Sequence, residues 1–325
     1  MPFITLKQVL DEAQKGEFAV GAFNFNNMEQ LQGVMQAFKN TNSFGIIQAS
    51  RGALKYTNYN FLHHLALAAA ELYPDVPVVL HLDHGDSLET VKKVISLGFT
   101  SVMIDGSALS FEENVALTRS VVEFAHPRGV SVEGELGVLG GIEEDVKGKA
   151  KFTDPDQVEE FVARTGVDAL AIAVGTSHGA YKFSGEPRIR QDLIEEIHRR
   201  VPDCALVLHG ASSVPSSLIK EIDRYGGSMS KAKGVPIEML QEAVKRGIRK
   251  INVDTDVRLA VTATIRRVLA ERPDVFDPRE YLGEARKRIT SIVEEKIRAF
   301  GGENRVPKDF KPISLEEQAA RYQER

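Results

Sequence analysis

Four of the chain's eight histidines stand in or beside short apolar segments: His81 and His84 in HLDHG, His178 in GTSHG and His209 in LHGAS. His84, His178 and His209 are each followed at once by glycine, which lets a substrate approach the backbone closely. Imidazole suits zinc, and three such rings converging on one spot would hold a divalent metal with one coordination position open. Asp83 directly precedes His84, a position from which a carboxylate either transfers a proton or orients an imidazole. His81 lies one pleat deeper and suits a supporting part. Asp105 and Glu135 close two further segments; sharing space with His84, they would repel each other and favour a second cation. Gly179 with Lys182, Gly210–Ser213 and Asn252–Thr255 offer the small and hydroxyl-bearing residues that bind phosphate. A Schiff-base lysine is missing from ALAIAVG, and Lys250, early in its segment, reads as standing away from the reactive end.

These residues need elements to hold them, and the apolar pattern supplies eight. Phe18–Phe23, Phe44–Ala49, Val76–Leu82, Thr100–Ile104, Val130–Leu136, Ala169–Val174, Ala205–Leu208 and Ile248–Val253 read as strands. Nearly continuous apolar runs such as VPVVLHL imply cover on both faces, the habit of parallel sheets. Helical spacing appears between them at Met28–Lys39, Leu88–Leu97 (with Ser87 as cap), Phe111–Ala125, Asp156–Thr165, Arg190–Arg200 and Pro236–Lys245. Strand then helix, eight times over, predicts an α/β fold, a (β/α)8 TIM barrel with a C-terminal helical extension. A doubly wound sheet would need a glycine-rich turn after the first strand, where this chain has Asn24–Asn27. Active sites in barrels gather at the C-terminal strand ends, where the candidate residues fall. Two long glycine-containing loops, Gly137–Thr153 and Gly175–Pro187, read as lids. The expected organisation is one barrel domain over residues 1–302 and a polar tail over 303–325. Val306, Phe310, Ile313 and Leu315 would let that tail drape over its own barrel or reach a partner subunit.

Composition narrows the class. The 325 residues carry 41 Lys+Arg against 46 Asp+Glu, a net charge of −5, which argues against nucleic-acid and membrane-surface partners. Cys204 is the single cysteine, so neither an internal disulfide nor a cysteine-rich zinc site is available. The N-terminal charges Lys7, Asp11 and Glu12 interrupt any signal-peptide core, and a cytoplasmic location is expected.

The motifs HLDHG, EGELGVLGGIEED, GTSHGAYK, LHGAS and KINVDTD resemble, in order, those of the class II, metal-dependent fructose-bisphosphate aldolases. The resemblance implies a zinc ion on His84, His178 and His209, and a second divalent or monovalent cation at Asp105 and Glu135. It implies that Asp83 is the acid/base at the aldehyde oxygen, and that Glu143 moves the carbon-bound proton of dihydroxyacetone phosphate. For that ketose phosphate it implies Gly179, Lys182, Gly210, Ala211, Ser212, Asn252, Asp254 and Thr255. Ser50 matches the aldehyde-side phosphate position, with Arg258 and Arg279 as the two candidate arginines. The implied substrate is a sugar bisphosphate and the implied assembly a homodimer or homotetramer. Three rivals stand beside this reading: a tagatose-bisphosphate aldolase, a non-catalytic sugar-phosphate-binding barrel, and a metal-dependent hydrolase. The last usually opens with paired histidines on strand one, where this chain has FNFNN.

Overall fold

Each apolar segment forms a parallel strand: β1 (Val20–Asn24), β2 (Gly45–Ser50), β3 (Val78–Gly85), β4 (Ser101–Ile104), β5 (Ser131–Leu136), β6 (Ala169–Ile172), β7 (Ala205–Leu208) and β8 (Ile248–Val253). Every strand pairs with its sequence neighbour, and β1 pairs with β8, Val20 opposite Lys250, to close the barrel. The computed structural model describes residues 3–143, 146–147, 151–182 and 187–324, with the backbone alone for 141–143 and 146–147.

The surrounding helices start where local chemistry satisfies their free N–H groups. After α1 (Leu6–Gly16) come α2 (Met28–Thr41), α3 (Arg51–Thr57), α4 (Tyr59–Leu72), α5 (Leu88–Ser96) and α6 (Phe111–Ala125). Then follow α7 (Pro155–Thr165), α8 (Gln191–Arg200), α9 (Ser216–Arg224), α10 (Ile237–Lys245), α11 (Thr255–Glu271), α12 (Pro278–Ala299) and α13 (Leu315–Gln323). Ser87 accepts from Thr90 N at 3.2 Å to open α5, and Ser110 with Glu113 forms a capping box for α6. Helix α12 packs on α2 and α11, so the C-terminal extension braces the barrel wall near its seam.

Strand alternation divides the apolar residues into two cores. Outward side chains such as Leu80, Leu82, Val102 and Ile251 pack against the helices. Inward ones, Val20, Ala22, Ile46, Val79, Ala171 and Val207 among them, fill the lumen. Helix α1, absent from the sequence expectations, belongs to the inner core. Thr5 caps it, and its buried Leu6, Val9, Leu10 and Ala13 form one face that stoppers the barrel at the strands' N-terminal ends. Each fully buried aliphatic side chain there contributes roughly 1.5–3 kcal/mol.

The tail lies against this same closed end. Phe310 meets Phe44 edge-on at 5.0 Å between centroids, and the Tyr322 ring stacks on His126 at 3.7 Å. The Tyr322 hydroxyl reaches Ser131 Oγ at 3.2 Å, while His126 Nε2 sits 2.9 Å from Asp168 Oδ2. At the open end, the chain after β5 forms a short flap. Gly140 and Gly141 pair in parallel with Ser177 and His178, and Ile142 and Glu143 pair with Lys147 and Val146.

Candidate active site

The inward positions that carry apolar side chains low in the barrel carry polar ones two residues further up. On β1 Ala22 is followed by Asn24, on β2 Ile46 by Gln48, and on β3 Val79 by His81 and Asp83. His84 breaks that alternation. Its φ of 50° lies in the left-handed region, and the β3–β4 register shifts between Leu82 and Gly85. This turn brings His84 into the site beside Asp83 instead of facing the helices.

Three imidazoles meet at the open end. Ring centroids stand 4.7 Å apart for His84 and His209, 5.1 Å for His84 and His178, and 6.4 Å for His178 and His209. His84 Nε2 faces His209 Nδ1 at 3.0 Å. The outer nitrogens are engaged by carboxylates, His84 Nδ1 with Asp105 Oδ2 at 3.0 Å and His209 Nε2 with Glu133 Oε1 at 2.8 Å. A carboxylate accepts and an N–H donates, so in the neutral rings the two facing nitrogens both carry lone pairs, that of His209 also lying 3.2 Å from Asn252 Nδ2. Lone pairs this close repel unless a proton or a metal ion lies between them. Tetrahedral zinc with bonds of 2.0–2.1 Å sets neighbouring ligand atoms about 3.3 Å apart, near the spacing seen here. The donor set fits a divalent metal.

Asp83 is held by three side-chain amides. Its Oδ2 accepts from Asn24 Nδ2 at 2.8 Å and Gln48 Nε2 at 3.2 Å, and its Oδ1 from Asn252 Nδ2 at 3.2 Å. Gln48 also donates to Asn24 Oδ1 at 2.6 Å, so the amides orient one another. Asp83, His84 and His209 offer ligand atoms within 4.8 Å of one another, as do His84, Asp105 and Glu135. The second group has an orphan: Glu135 Oε2 is buried without a hydrogen-bond partner among the described residues. Burial raises the Glu135 pKa well above the ordinary range, and neighbouring Asp105 adds to the shift. Burial opposes a charge on His84 as well, yet the Asp105 hydrogen bond and the nearby Asp83 and Glu135 carboxylates raise its pKa well above the usual value. This excess of negative charge is what one or two cations would relieve.

Below the histidines lies a group of which the sequence reading assigns a part only to His81, as a support. Glu133, His81 and Lys250 are all fully buried, with Lys250 Nζ 2.9 Å and His81 Nε2 3.7 Å from Glu133 Oε2. Lys250 therefore points into the lumen beneath His209. Its place early in β8 puts it one layer down, and it is not set apart from the site as expected. Burial would raise the Glu133 pKa, but the Lys250 ammonium and the His209 hydrogen bond hold it below the ordinary range. Burial and then the Lys250 charge lower His81 to about 3, which keeps it neutral. His81 Nδ1 is 2.8 Å from Ser101 Oγ.

The expected phosphate residues line one cavity with these groups. Asn24, Asp83, His178, Gly179, Lys182, His209, Gly210, Ala211, Ser212, Asn252, Asp254 and Thr255 all border it. The 17-residue α11 starts at Thr255, directing its N-terminal end to this cavity, an arrangement that attracts phosphate. Gly210 has φ 61°, and a Cβ there would lie 2.7 Å from the Ser177 carbonyl oxygen, so only glycine fits. Asp256 shapes the same loop by accepting from Ser213 N and Val214 N at 2.9 and 2.7 Å. Ser50 caps α3 and pairs in register with Asp83. Arg258 is ion-paired with Asp254 at the cavity edge. Arg279 is not brought to the cavity within this chain. It is 89% exposed, pairs with Asp277, and lines a separate groove between α2 and α12. The backbone of Glu143 lies in the flap, and its side chain falls outside the described residues.

Sequence reasoning missed Asn24, Gln48 and Lys250 as site components. The signal was a lone polar residue in an otherwise buried strand, such as the glutamine in GIIQAS, because such a group must find a partner.

Comparison with known proteins supplies independent findings. The family model described as "Fructose-bisphosphate aldolase class-II" matches residues 4–305. A fructose-bisphosphate aldolase of Giardia intestinalis is 53% identical, covering 99% of this chain and 100% of that protein. One of Treponema pallidum is 50% identical over 90% of this chain and 94% of its own. Among solved structures, the YdjI aldolase of Escherichia coli K12 superposes with a TM-score of 0.78 at 31% identity, covering 94% of this chain and 100% of that one.

Proposed function

The chain belongs to the class II fructose-bisphosphate aldolase family, and on that premise we propose its reaction and the part each residue takes in it. The enzyme is a lyase that reversibly cleaves fructose 1,6-bisphosphate to dihydroxyacetone phosphate and glyceraldehyde 3-phosphate. The observation that carries the residue assignments is the meeting of three imidazoles beside an amide-held carboxylate. His84, His178 and His209 are the proposed metal ligands and zinc the proposed ion. Asp105 and Glu135 are the proposed seat of a second cation. When bound, the divalent metal supplies Lewis acidity that stabilises negative charge on the ketose oxygen as the adjacent carbon loses its proton.

The chain's own groups supply the rest. Asp83 protonates the aldehyde oxygen in condensation and removes that proton in cleavage; the Asn24, Gln48 and Asn252 amides hold it in place to do so. Glu143 moves the carbon-bound proton, and its position in the flap lets it act while the flap excludes water. Gly179, Lys182, Gly210–Ser212 and the start of α11 bind the ketose phosphate, and Ser50 and Arg258 the second one. Arg279, lying outside the cavity, is left for a second copy of the chain in a homodimer or homotetramer. No helix among the described residues is long and apolar enough to cross a membrane, and a cytoplasmic location is the proposed one.

The deciding experiment compares cleavage of fructose and tagatose 1,6-bisphosphates with and without a chelator. Faster turnover of the fructose epimer, abolished by chelation and restored by zinc, is the expected result. Chelator-insensitive turnover, or inactivation by borohydride in the presence of substrate, would overturn the metal-dependent reading.

A further inference from the structure

The buried Lys250–Glu133 pair performs no step in the reaction above, yet it lies directly beneath a metal ligand. Both side chains are 0% exposed. Burying such a pair gains little for stability, since apolar residues of similar volume usually serve as well. Most of the other described side chains of the lower lumen are apolar. What distinguishes this pair is its geometry. Lys250 Nζ is ion-paired with Oε2 of Glu133 at 2.9 Å, with neither atom in an aligned hydrogen bond among the described residues. Oε1 of the same carboxylate accepts from His209 Nε2, whose other ring nitrogen faces His84.

We infer that Lys250 is a positioning residue for the metal centre: by holding one oxygen of Glu133 it fixes the other on His209 Nε2–H, and so keeps His209 Nδ1 bare for the ion. Lys250 has only donors, so it dictates which atom of its partner faces it. Residue 133 must then present an acceptor to Lys250 on one side and another to His209 on the other. A carboxylate does both; an amide cannot. The neighbouring His81 does not replace the lysine, being 3.7 Å from Glu133 and engaged with Ser101.

This inference rests on the proposed metal role of His84, His178 and His209, and its test keeps the two apart. Zn2+ affinity is measured on the metal-free full chain by competition with a chromophoric chelator, and Co2+ absorption reports the ligand set. In Glu133→Gln, Lys250 captures the amide oxygen and turns the NH2 group toward His209. That group forces His209 Nε2 to accept, puts the ring proton on Nδ1, and weakens Zn2+ binding about 10–100-fold. Removing the lysine as well, in Lys250→Met/Glu133→Gln, frees the amide to flip, and Zn2+ binding recovers about tenfold or more relative to Glu133→Gln alone. Affinity must recover together with the wild-type Co2+ spectrum, because removing an unpaired buried ammonium would by itself favour cation binding. A double variant that binds Zn2+ no better than Glu133→Gln overturns the inference. Should Glu133→Gln fail to fold, Lys250→Met carries the same test, because it leaves a buried carboxylate without a counter-charge. Adding Glu133→Gln to it must then raise thermal stability and restore the wild-type Co2+ spectrum, and failure to do so overturns the inference. Absence of Zn2+ binding in the wild-type chain would instead remove the metal reading itself.

Discussion

The lower and upper halves of the barrel lumen are built from the same strands, a single pleat apart. Below, Val20, Ala22, Ile46, Val79 and Val207 pack against helix α1, which seals that end. Above, Asn24, Gln48, Asp83, Asn252, His209 and Glu133 form a connected polar network, which Lys250 reaches from one layer down, and most members contact residues on other strands. The lower half needs only apolar volume and tolerates many solutions; the upper half needs particular donors opposite particular acceptors. A rigid floor therefore supports a layer in which most polar side chains are held by a named partner.

Separate substitutions probe each half. Asp83→Ala, in the upper half, is expected to cut kcat about 10²–10⁴-fold while bound zinc, measured by atomic absorption, is unchanged. Glu143→Ala should behave alike, and unchanged proton exchange on dihydroxyacetone phosphate in that variant would remove its assigned role. Ile46→Ala, in the lower half, should destabilise the zinc-saturated enzyme by about 2–5 kcal/mol in urea while kcat/KM stays within about twofold. A parallel collapse of kcat/KM would show that the halves are not separable. Gly210→Ala forces a side chain into the left-handed region against Ser177, costing about 1–3 kcal/mol; it should appear mainly as a raised KM for the ketose phosphate. Tyr322→Ala, on the outer side of the floor, removes a stacked ring and should cost only about 0.5–1.5 kcal/mol, with no change in kcat. On that same floor Cys204 is buried, which pushes its thiol up to about 12, so alkylation of the native enzyme at neutral pH should be slow.

The two halves were also unequally legible in the sequence. The strands announced themselves as short apolar runs, and β5, β7 and β8 follow the apolar segments closely. His84, His178 and His209 stood out because each follows a strand and precedes glycine. Their partners did not. Glu133 and His209 lie 76 residues apart, and Asn24 and Asp83 59 apart. Such pairs meet only through strand stagger around a closed barrel, which no local spacing encodes. Helix α1 shows the converse. Its period of Leu6, Val9, Leu10 and Ala13 was visible, but nothing local says that this face turns into the barrel's end and not onto its side. The tail was legible as an apolar-spotted segment, and the stacking of Tyr322 on His126 gives it a seat on its own barrel.

The seam between β1 and β8 has a consequence for how the enzyme comes into being. Val20 cannot pair with Lys250 until nearly all of the intervening chain exists, and such long-range closure is slow. The same strand brings Lys250 beneath Glu133 and Asn252 beside Asp83. A nascent or refolding chain with its first seven strands in place thus has its histidines and their carboxylates Asp105 and Glu133 but lacks Lys250 and Asn252. Uptake of the ion then becomes a natural clock for the final step of folding, read in real time by a spectroscopic metal such as Co2+.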